Sequence, residues 1–159
     1  MDIAREHFFY RDPVNVKLIF ADARTYVNKL TQQYDVVVVD VYGNTDIPFT
    51  FMTQEYGKAL RRVVRPGGVV MVNIIAGEQG SCQTLLSALE APYRAHFSQR
   101  ALRTSVATAQ QASLPHNIIG VYGDKLPHYE GYRDIPIPLA KPFTDDYAPA
   151  ERLRQGCAA

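Results

Sequence analysis

The chain has 159 residues, of which 47% are apolar and 21% charged, and its 17 basic and 16 acidic side chains give a formal net charge of +1. This composition is typical of a globular protein, and the length suffices for one hydrophobic core. The charge balance argues against nucleic-acid binding by bulk electrostatics, and the longest apolar run, 69–75, is too short to span a bilayer.

We interpret the sequence as a single domain (1–159), with an α/β core over 1–122 and a proline-rich C-terminal wrap over 123–159. Cys82 and Cys157 lie 75 positions apart and have no metal-binding or redox spacing. Both cysteines are therefore predicted to be reduced, in a cytoplasmic protein. The four histidines are scattered, so no metal ion is predicted.

The first half of the chain alternates predicted helices and strands. A helix over 3–9 is followed by a strand over 14–20 and a helix over 23–30. The run Tyr34-Asp35-Val36-Val37-Val38-Val39-Asp40 predicts a strand buried on both faces, because four consecutive β-branched residues leave no polar face. Asp40 then lies at the carboxyl end of that strand, which is the edge where open α/β sheets bind ligands.

The second half continues the alternation. Thr53 is a good cap for a helix over 54–64, which Pro66-Gly67-Gly68 ends. The remaining predicted elements are a strand over 69–75, a helix from its cap Ser81 to about Glu90 that Pro92 ends, strands over 96–102 and 117–122, and a short helix over 148–154.

The order of these elements predicts a doubly wound α/β fold with a mostly parallel sheet. The right-handed crossover rule places helices on both faces of the sheet. The last two strands are predicted to be antiparallel because their connection is short. Five prolines between Lys125 and Pro149 predict an extended, irregular wrap.

Several landmarks occur in a fixed order along this fold. Ala21-Asp22-Ala23-Arg24 follows the first strand, Tyr34-Asp35 leads into the strand that ends at Asp40, and Pro66-Gly67-Gly68-Val69 leads into the next. Together they resemble the later half of a class I S-adenosylmethionine-dependent transferase, whose fold is Rossmann-like. Thr144-Asp145-Asp146-Tyr147-Ala148-Pro149 narrows the resemblance to spermidine synthases and spermidine-synthase-like proteins, over Met1 to about Leu153.

The family fold also contains an earlier strand, a glycine-rich turn and a second strand that ends in an acidic residue. None of these is present in the 159 residues. The fold is therefore expected to be N-terminally incomplete. The two vacant positions at the centre of the sheet would leave strand edges that invite pairing with another chain, so a homodimer is expected.

The resemblance implies transfer of an aminopropyl group from decarboxylated S-adenosylmethionine to a small amine. Asp40 would take the proton from the attacking amine and would also contact the cofactor. Asp22 and Ala23 would contact the adenine of the cofactor. Asp22 could instead cap the helix that follows it, and both roles are compatible.

The resemblance also places acceptor-binding residues in two loops. Tyr42 and Asp46 would line the pocket after Asp40, and Asp146 and Tyr147 would close over it from the wrap. Gly43 stands where the synthases commonly carry a second acid that holds the diamine. For Asp145 we favour a structural role, in a capped turn before the last helix.

Two other functions are compatible with the sequence. A methyltransferase that uses S-adenosylmethionine is favoured by Gly43, and a product assay with the two adenosyl compounds separates it from the first function. A non-catalytic remnant without cofactor binding is favoured by the lack of the glycine-rich turn. Failure to bind any adenosyl compound would support it.

Overall fold

The computed structural model describes residues 2–11, 13–43, 47–104, 108–132 and 135–157. The elements in chain order are α1 (Asp2–His7), α2 (Ala23–Lys29), β1 (Tyr34–Val39), a 3-10 turn (Phe49–Phe51), α3 (Gln54–Val63), β2 (Val64–Ala76), α4 (Gly80–Arg94), β3 (Gln99–Thr104), α5 (Ala109–Ala112), β4 (His116–Gly123) and α6 (Ala150–Cys157).

The four strands form one mixed sheet in the order β1-β2-β4-β3. β1 pairs with β2 in parallel, whereas β4 is antiparallel both to β2 and to β3. The predicted α/β fold and the antiparallel pairing of the last two strands are confirmed. The sheet has one parallel pair and two antiparallel pairs, so the parallel part is smaller than expected.

The strand predicted over 14–20 is wrong, and its absence accounts for the smaller parallel part. The segment has no strand assignment, and Val14 and Phe20 are exposed. A β-strand is held by hydrogen bonds to a neighbouring strand, and no described strand pairs with this segment. Its apolar alternation is therefore not sufficient to form a strand here.

The prediction that β1 is buried on both faces is also wrong. β1 lies at the edge of the sheet, and its Val36 and Val38 side chains are 51% and 68% exposed, whereas Val39 is buried. Helices α3 and α4 contact the sheet through β2, and α4 also contacts β4. The alternating exposure along β1 shows that one of its faces packs on the core and the other is open.

Helix α3 follows its sequence signals closely. Thr53 caps it as predicted, with its hydroxyl oxygen accepting a hydrogen bond from the Tyr56 amide at 3.4 Å. A Cβ on Gly57 would collide with the Pro92 carbonyl, so the glycine allows α3 to approach α4 closely. The helix ends at Val63, and Pro66-Gly67-Gly68 belongs to the long strand β2 rather than to a helix stop.

Helix α4 differs from its prediction at both ends. Gln79, not Ser81, occupies the N-cap position, and Pro92 lies inside the helix, which continues to Arg94. Because Pro92 is in the last turn, it removes only one backbone hydrogen bond close to the end of the helix. A proline that ends a helix and one in its last turn look alike in sequence.

A cluster of aromatic rings and charges fills the core between α4 and β4. The rings of Tyr93 and Tyr122 stack at a centroid distance of 4.9 Å, and the Tyr122 hydroxyl donates to Glu90 Oε1 at 3.0 Å. Glu90 is fully buried and pairs with Arg100 at 2.6 Å. A buried carboxylate is tolerated only when it is paired and hydrogen-bonded, and Glu90 meets both conditions.

We expect the protein to lose stability as the pH rises above about 10. Burial, together with the nearby Glu90 carboxylate at Tyr122, raises the pKa of Tyr93 and Tyr122 well above the ordinary value of 10.0. Their contribution to stability is complete below pH 10, and it is lost above that pH because the tyrosines of the unfolded chain ionise first. Each tyrosine lowers the free energy of unfolding by about 1.4 kcal/mol per pH unit.

Urea unfolding at pH 8, 9, 10 and 11 measures this loss. Tyr93→Phe should make the decline shallower, whereas Tyr147→Phe, at a side chain that is 66% exposed, should leave it unchanged. An identical decline in wild type and Tyr93→Phe would contradict the assignment to the buried phenol.

The C-terminal region follows the core as an extended wrap. Its described residues between 124 and 149 form neither helix nor strand, and α6 then packs on α4. α6 begins at Ala150 and ends at Cys157, a little later than predicted.

The prediction of two reduced cysteines is wrong, since Cys82 of α4 and Cys157 of α6 form a disulfide. The sequence does not indicate this pairing because the two residues are 75 positions apart. The cytoplasmic location stays a prediction. Its support was the expectation of reduced thiols, whereas disulfides persist mainly in oxidising compartments. In the described part of the chain, no helix combines the length and apolar character needed to cross a membrane.

Candidate functional site at the carboxyl edge of the sheet

Asp40, Asn73 and Tyr42 form a hydrogen-bonded group at the carboxyl ends of β1 and β2. Asn73 Nδ2 donates to Asp40 Oδ1 at 3.1 Å, and the Tyr42 hydroxyl donates to the Asn73 carbonyl oxygen at 2.9 Å. The Asp40 side chain is exposed, and its Oδ2 accepts no hydrogen bond from the described residues. The carboxylate is thus held on one oxygen and presents the other to solvent.

The charge on Asp40 also affects Tyr42. Desolvation, with the Asp40 carboxylate as a second cause, raises the pKa of Tyr42 to about 12. Tyr42 is therefore protonated at neutral pH and keeps its hydroxyl hydrogen on the Asn73 carbonyl. This hydrogen bond fixes the Tyr42 ring near Asp40, and a protonated phenol cannot act as a base.

Asp22 caps helix α2 through one of its two carboxylate oxygens. Its Oδ1 accepts from the Thr25 amide at 2.7 Å, which is the main reason that the pKa of Asp22 is lowered. The side chain is exposed, and Ala23 follows as the first residue of the helix. The Thr25 hydroxyl also hydrogen-bonds this carboxylate, but a carboxylate has about four acceptor positions, so Asp22 can still accept a hydrogen bond from a ligand.

Arg24, the second residue of α2, is buried and lies at the centre of a partly buried network. Its Nη1 donates to the Thr53 hydroxyl at 2.9 Å and to the Thr50 carbonyl, and its Nη2 donates to Asp145 Oδ2 at 2.7 Å. Thr53 in turn donates to Asp145 Oδ1 at 2.7 Å. The guanidinium also lies 5.5 Å from the centre of the Tyr56 ring.

This network joins two sequence landmarks that lie 121 positions apart. One is the Asp22-Ala23-Arg24 step and the other is the Thr-Asp-Asp-Tyr-Ala-Pro segment. The Gln54 amide donates to the Phe143 carbonyl at 2.8 Å and the Asp145 amide donates to Glu55 at 3.1 Å, so the wrap is held against the start of α3. The structural role expected for Asp145 agrees with these contacts.

The other residues of the predicted acceptor site have fewer contacts. Asp146 and Tyr147 are exposed in a turn that is closed by hydrogen bonds between Thr144 and Tyr147. Asp46 lies outside the described residues, so its place at the site stays a prediction. The structure thus brings Asp40 and Tyr42 together. Arg24 links the start of α2, where Asp22 lies, to the segment that contains Asp146 and Tyr147.

Sequence reasoning missed two residues of this region. Asn73 lies within the predicted strand 69–75 and has no predicted role, yet it fixes Asp40. Arg24 is predicted only as part of a motif, yet its side chain is only 10% exposed. A polar residue within a buried strand was a usable signal, whereas nothing local indicates that an arginine has a partner far along the chain. Among the described residues, no group of three or more His, Cys, Asp or Glu side chains could hold a metal ion.

Comparison with known proteins supports the resemblance. No protein-family model matches the chain. The chain is 34% identical over 88 residues to a probable polyamine aminopropyl transferase of Bifidobacterium longum, a match that covers 54% of this chain and 19% of that protein. The crystal structure of a probable spermidine synthase from Corynebacterium glutamicum is similar, with a TM-score of 0.65 and 25% identity over 78% of this chain and 43% of that one.

Two further crystal structures are similar in fold. Human methyltransferase-like protein 13 in complex with SAH has a TM-score of 0.58 at 18% identity, covering 95% of this chain and 72% of that one. Spermidine synthase from Thermotoga maritima has a TM-score of 0.51 at 12% identity, covering 99% and 53%. The Rossmann-like fold and the resemblance to spermidine synthases are confirmed, and the chain spans 19% and 43% of the first two proteins.

Proposed function

We propose that the chain carries part of the active site of a spermidine-synthase-like aminopropyltransferase. Its co-substrate would be decarboxylated S-adenosylmethionine and its acceptor a small amine. The observation that carries the proposal is the exposed Asp40 carboxylate at the carboxyl end of β1, held by Asn73 on one oxygen. The similarity to a polyamine aminopropyl transferase supports the same reaction class.

Asp40 Oδ2 would bind the acceptor amine and remove its proton. An ammonium group cannot attack until it loses a proton, and a carboxylate both attracts the cation and accepts that proton. The freed amine would attack the carbon next to the sulfonium. The new N–C bond forms as the C–S bond breaks, and the electron pair of that bond leaves on sulfur as neutral 5′-methylthioadenosine. The proton passes from Asp40 to solvent.

Asp22 would act at the opposite end of the co-substrate. The oxygen that does not cap α2 can accept a hydrogen bond from the exocyclic amino group of adenine. Helix α2 returns to β1 through a short connection, 30–33, so the start of α2 lies toward the carboxyl end of β1. Asp22 and Asp40 would therefore face the same edge of the sheet, as one elongated ligand requires.

Calorimetric titration with 5′-methylthioadenosine tests the proposal, and Asp22→Ser is the informative variant. Serine still caps a helix but lacks the second oxygen, so the melting temperature should be retained while the affinity falls about tenfold or more. Equal affinities would show that Asp22 is only a cap. No binding by the folded wild-type chain would overturn the proposal in favour of a non-catalytic relative.

A product assay separates aminopropyl transfer from methyl transfer. The chain is incubated with a diamine and either decarboxylated S-adenosylmethionine or S-adenosylmethionine itself. We expect 5′-methylthioadenosine from the first compound. S-adenosylhomocysteine formed from the second would instead identify a methyltransferase.

A further inference from the structure

We propose that Arg24 is a positioning residue that couples the adenosyl end of the site to its acceptor end. The inference rests on the proposed function, in which Asp22 contacts adenine and Asp146 and Tyr147 contact the acceptor. Arg24 stands two residues after Asp22, and its partner Asp145 immediately precedes Asp146. One ion pair, between the buried Arg24 and the half-exposed Asp145, therefore connects the two ends.

The contacts of Arg24 are those of a rigid junction. Its guanidinium donates to three acceptors that belong to different parts of the chain: the Thr50 carbonyl of the 3-10 turn, the Thr53 cap of α3 and Asp145 of the wrap. A planar guanidinium presents its donors in a fixed fork, so a shift of α2 changes all of these contacts together. Lysine cannot reproduce this geometry.

The wrap forms neither helix nor strand here, so side-chain contacts and isolated backbone bridges fix its course. Between Phe143 and Tyr147 it is held by the Phe143 carbonyl, the Asp145 amide and the Asp145 carboxylate, all against the start of α3 or against Arg24. Among the described residues, the hydrogen bonds that close the Thr144–Tyr147 turn come from its own backbone and the Thr144 side chain. Asp145 therefore determines where Asp146 and Tyr147 lie.

The consequence is reciprocal coupling between the two ends. A ligand that fixes the start of α2 through Asp22 also fixes Arg24, and through it the wrap. By thermodynamic linkage, the factor by which the ligand favours the docked wrap equals the factor by which the docked wrap raises the affinity for the ligand. A change that frees the wrap must therefore lower that affinity. Arg24 and Asp145 would then influence the reaction without touching either reacting atom.

Asp145→Asn tests the coupling, with Asp124→Asn as a matched control. Asp124 also pairs with an arginine, Arg61, at 2.8 Å, and its side chain is 41% exposed against 47% for Asp145. The arginine partners differ in exposure, 10% for Arg24 against 36% for Arg61, and the Asp145 pair joins the wrap to α2 whereas the Asp124 pair does not. Asparagine retains the shape and one acceptor oxygen, so both variants should fold.

Two quantities are measured with and without 5′-methylthioadenosine: the affinity by calorimetry, and hydrogen exchange at the Thr144 and Tyr147 amides. In the wild type and in Asp124→Asn, ligand binding should slow exchange at these amides. In Asp145→Asn the slowing should disappear and the affinity should fall about tenfold. A purely structural contact would change the melting temperature but not the ligand-dependent exchange.

Other outcomes are separable. If the wild type binds and Asp145→Asn binds equally well with the same slowing of exchange, the coupling is overturned and the proposed function stands. If the wild type binds no adenosyl compound, the proposed function fails and the coupling fails with it. Arg24→Lys provides a second variant should Asp145→Asn unfold, and it should lose the slowing of exchange for the same reason.

Discussion

Asp40→Asn should lower kcat by about 10²–10⁴-fold while the protein remains folded. The range is that of a lost general base. Folding should be retained because Asp40 is exposed, and an asparagine oxygen at this position can still accept the hydrogen bond from Asn73 Nδ2. The variant therefore keeps the shape of the site and removes the group that takes the proton.

The matched control is Asp35→Asn, at the other end of the same strand. Asp35 pairs with Arg65 at 2.9 Å on the surface, where ion pairs contribute at most about 1 kcal/mol. Its turnover should equal that of the wild type. Affinity for 5′-methylthioadenosine then separates two roles of Asp40: a fall in kcat alone indicates proton transfer, and a parallel fall in affinity indicates cofactor binding. Unchanged turnover in Asp40→Asn would remove Asp40 from the chemistry.

Removal of the Cys82–Cys157 disulfide should lower the free energy of unfolding by about 4 kcal/mol. The size follows from the chain-entropy model, because the bond links residues 75 positions apart and so constrains a long loop in the unfolded chain. Domains of this size are stable by about 5–15 kcal/mol in total, so the loss is a large share. Both sulfurs are buried, and alanine is therefore the appropriate replacement.

Urea unfolding of the wild type with and without reductant, and of the double variant Cys82→Ala with Cys157→Ala, measures this effect. Reductant should destabilise the wild type by as much as the two substitutions do and should leave the variant unaffected. Two titratable thiols in the oxidised, unfolded wild type would contradict the bond. α6 is the element most affected, because Cys157 lies in its last turn and its main packing partner is α4.

The success of the sequence predictions depended on how local their signals were. The Thr53 cap lies within one turn of the amide that it binds, and it was found. The valines of β1 correctly indicated a strand but not its position in the sheet. An edge strand and a central strand differ in their neighbouring strands, which the valines themselves do not reveal. The strand over 14–20 failed for the same reason, since strand pairing is a property of two segments.

The candidate site shows the same division. The positions of Asp40 and Asp22 were predictable because one follows a strand and the other caps a helix, and their roles in the reaction stay predictions. The Arg24–Asp145 pair and the disulfide were missed because they join segments 121 and 75 positions apart. No periodicity or spacing in a single sequence indicates such a contact.

The irregular wrap has an evolutionary consequence. Arginine side chains fix its course through its backbone carbonyls: Arg94 binds the Ile137 carbonyl and Arg100 that of Ile135. Selection that preserves the path of the wrap should then preserve these arginines, although neither is a predicted site residue. A search for invariant charged positions among relatives would thus find the arginines that hold the wrap together with the reactive residues. The three-dimensional contacts are needed to separate the two groups.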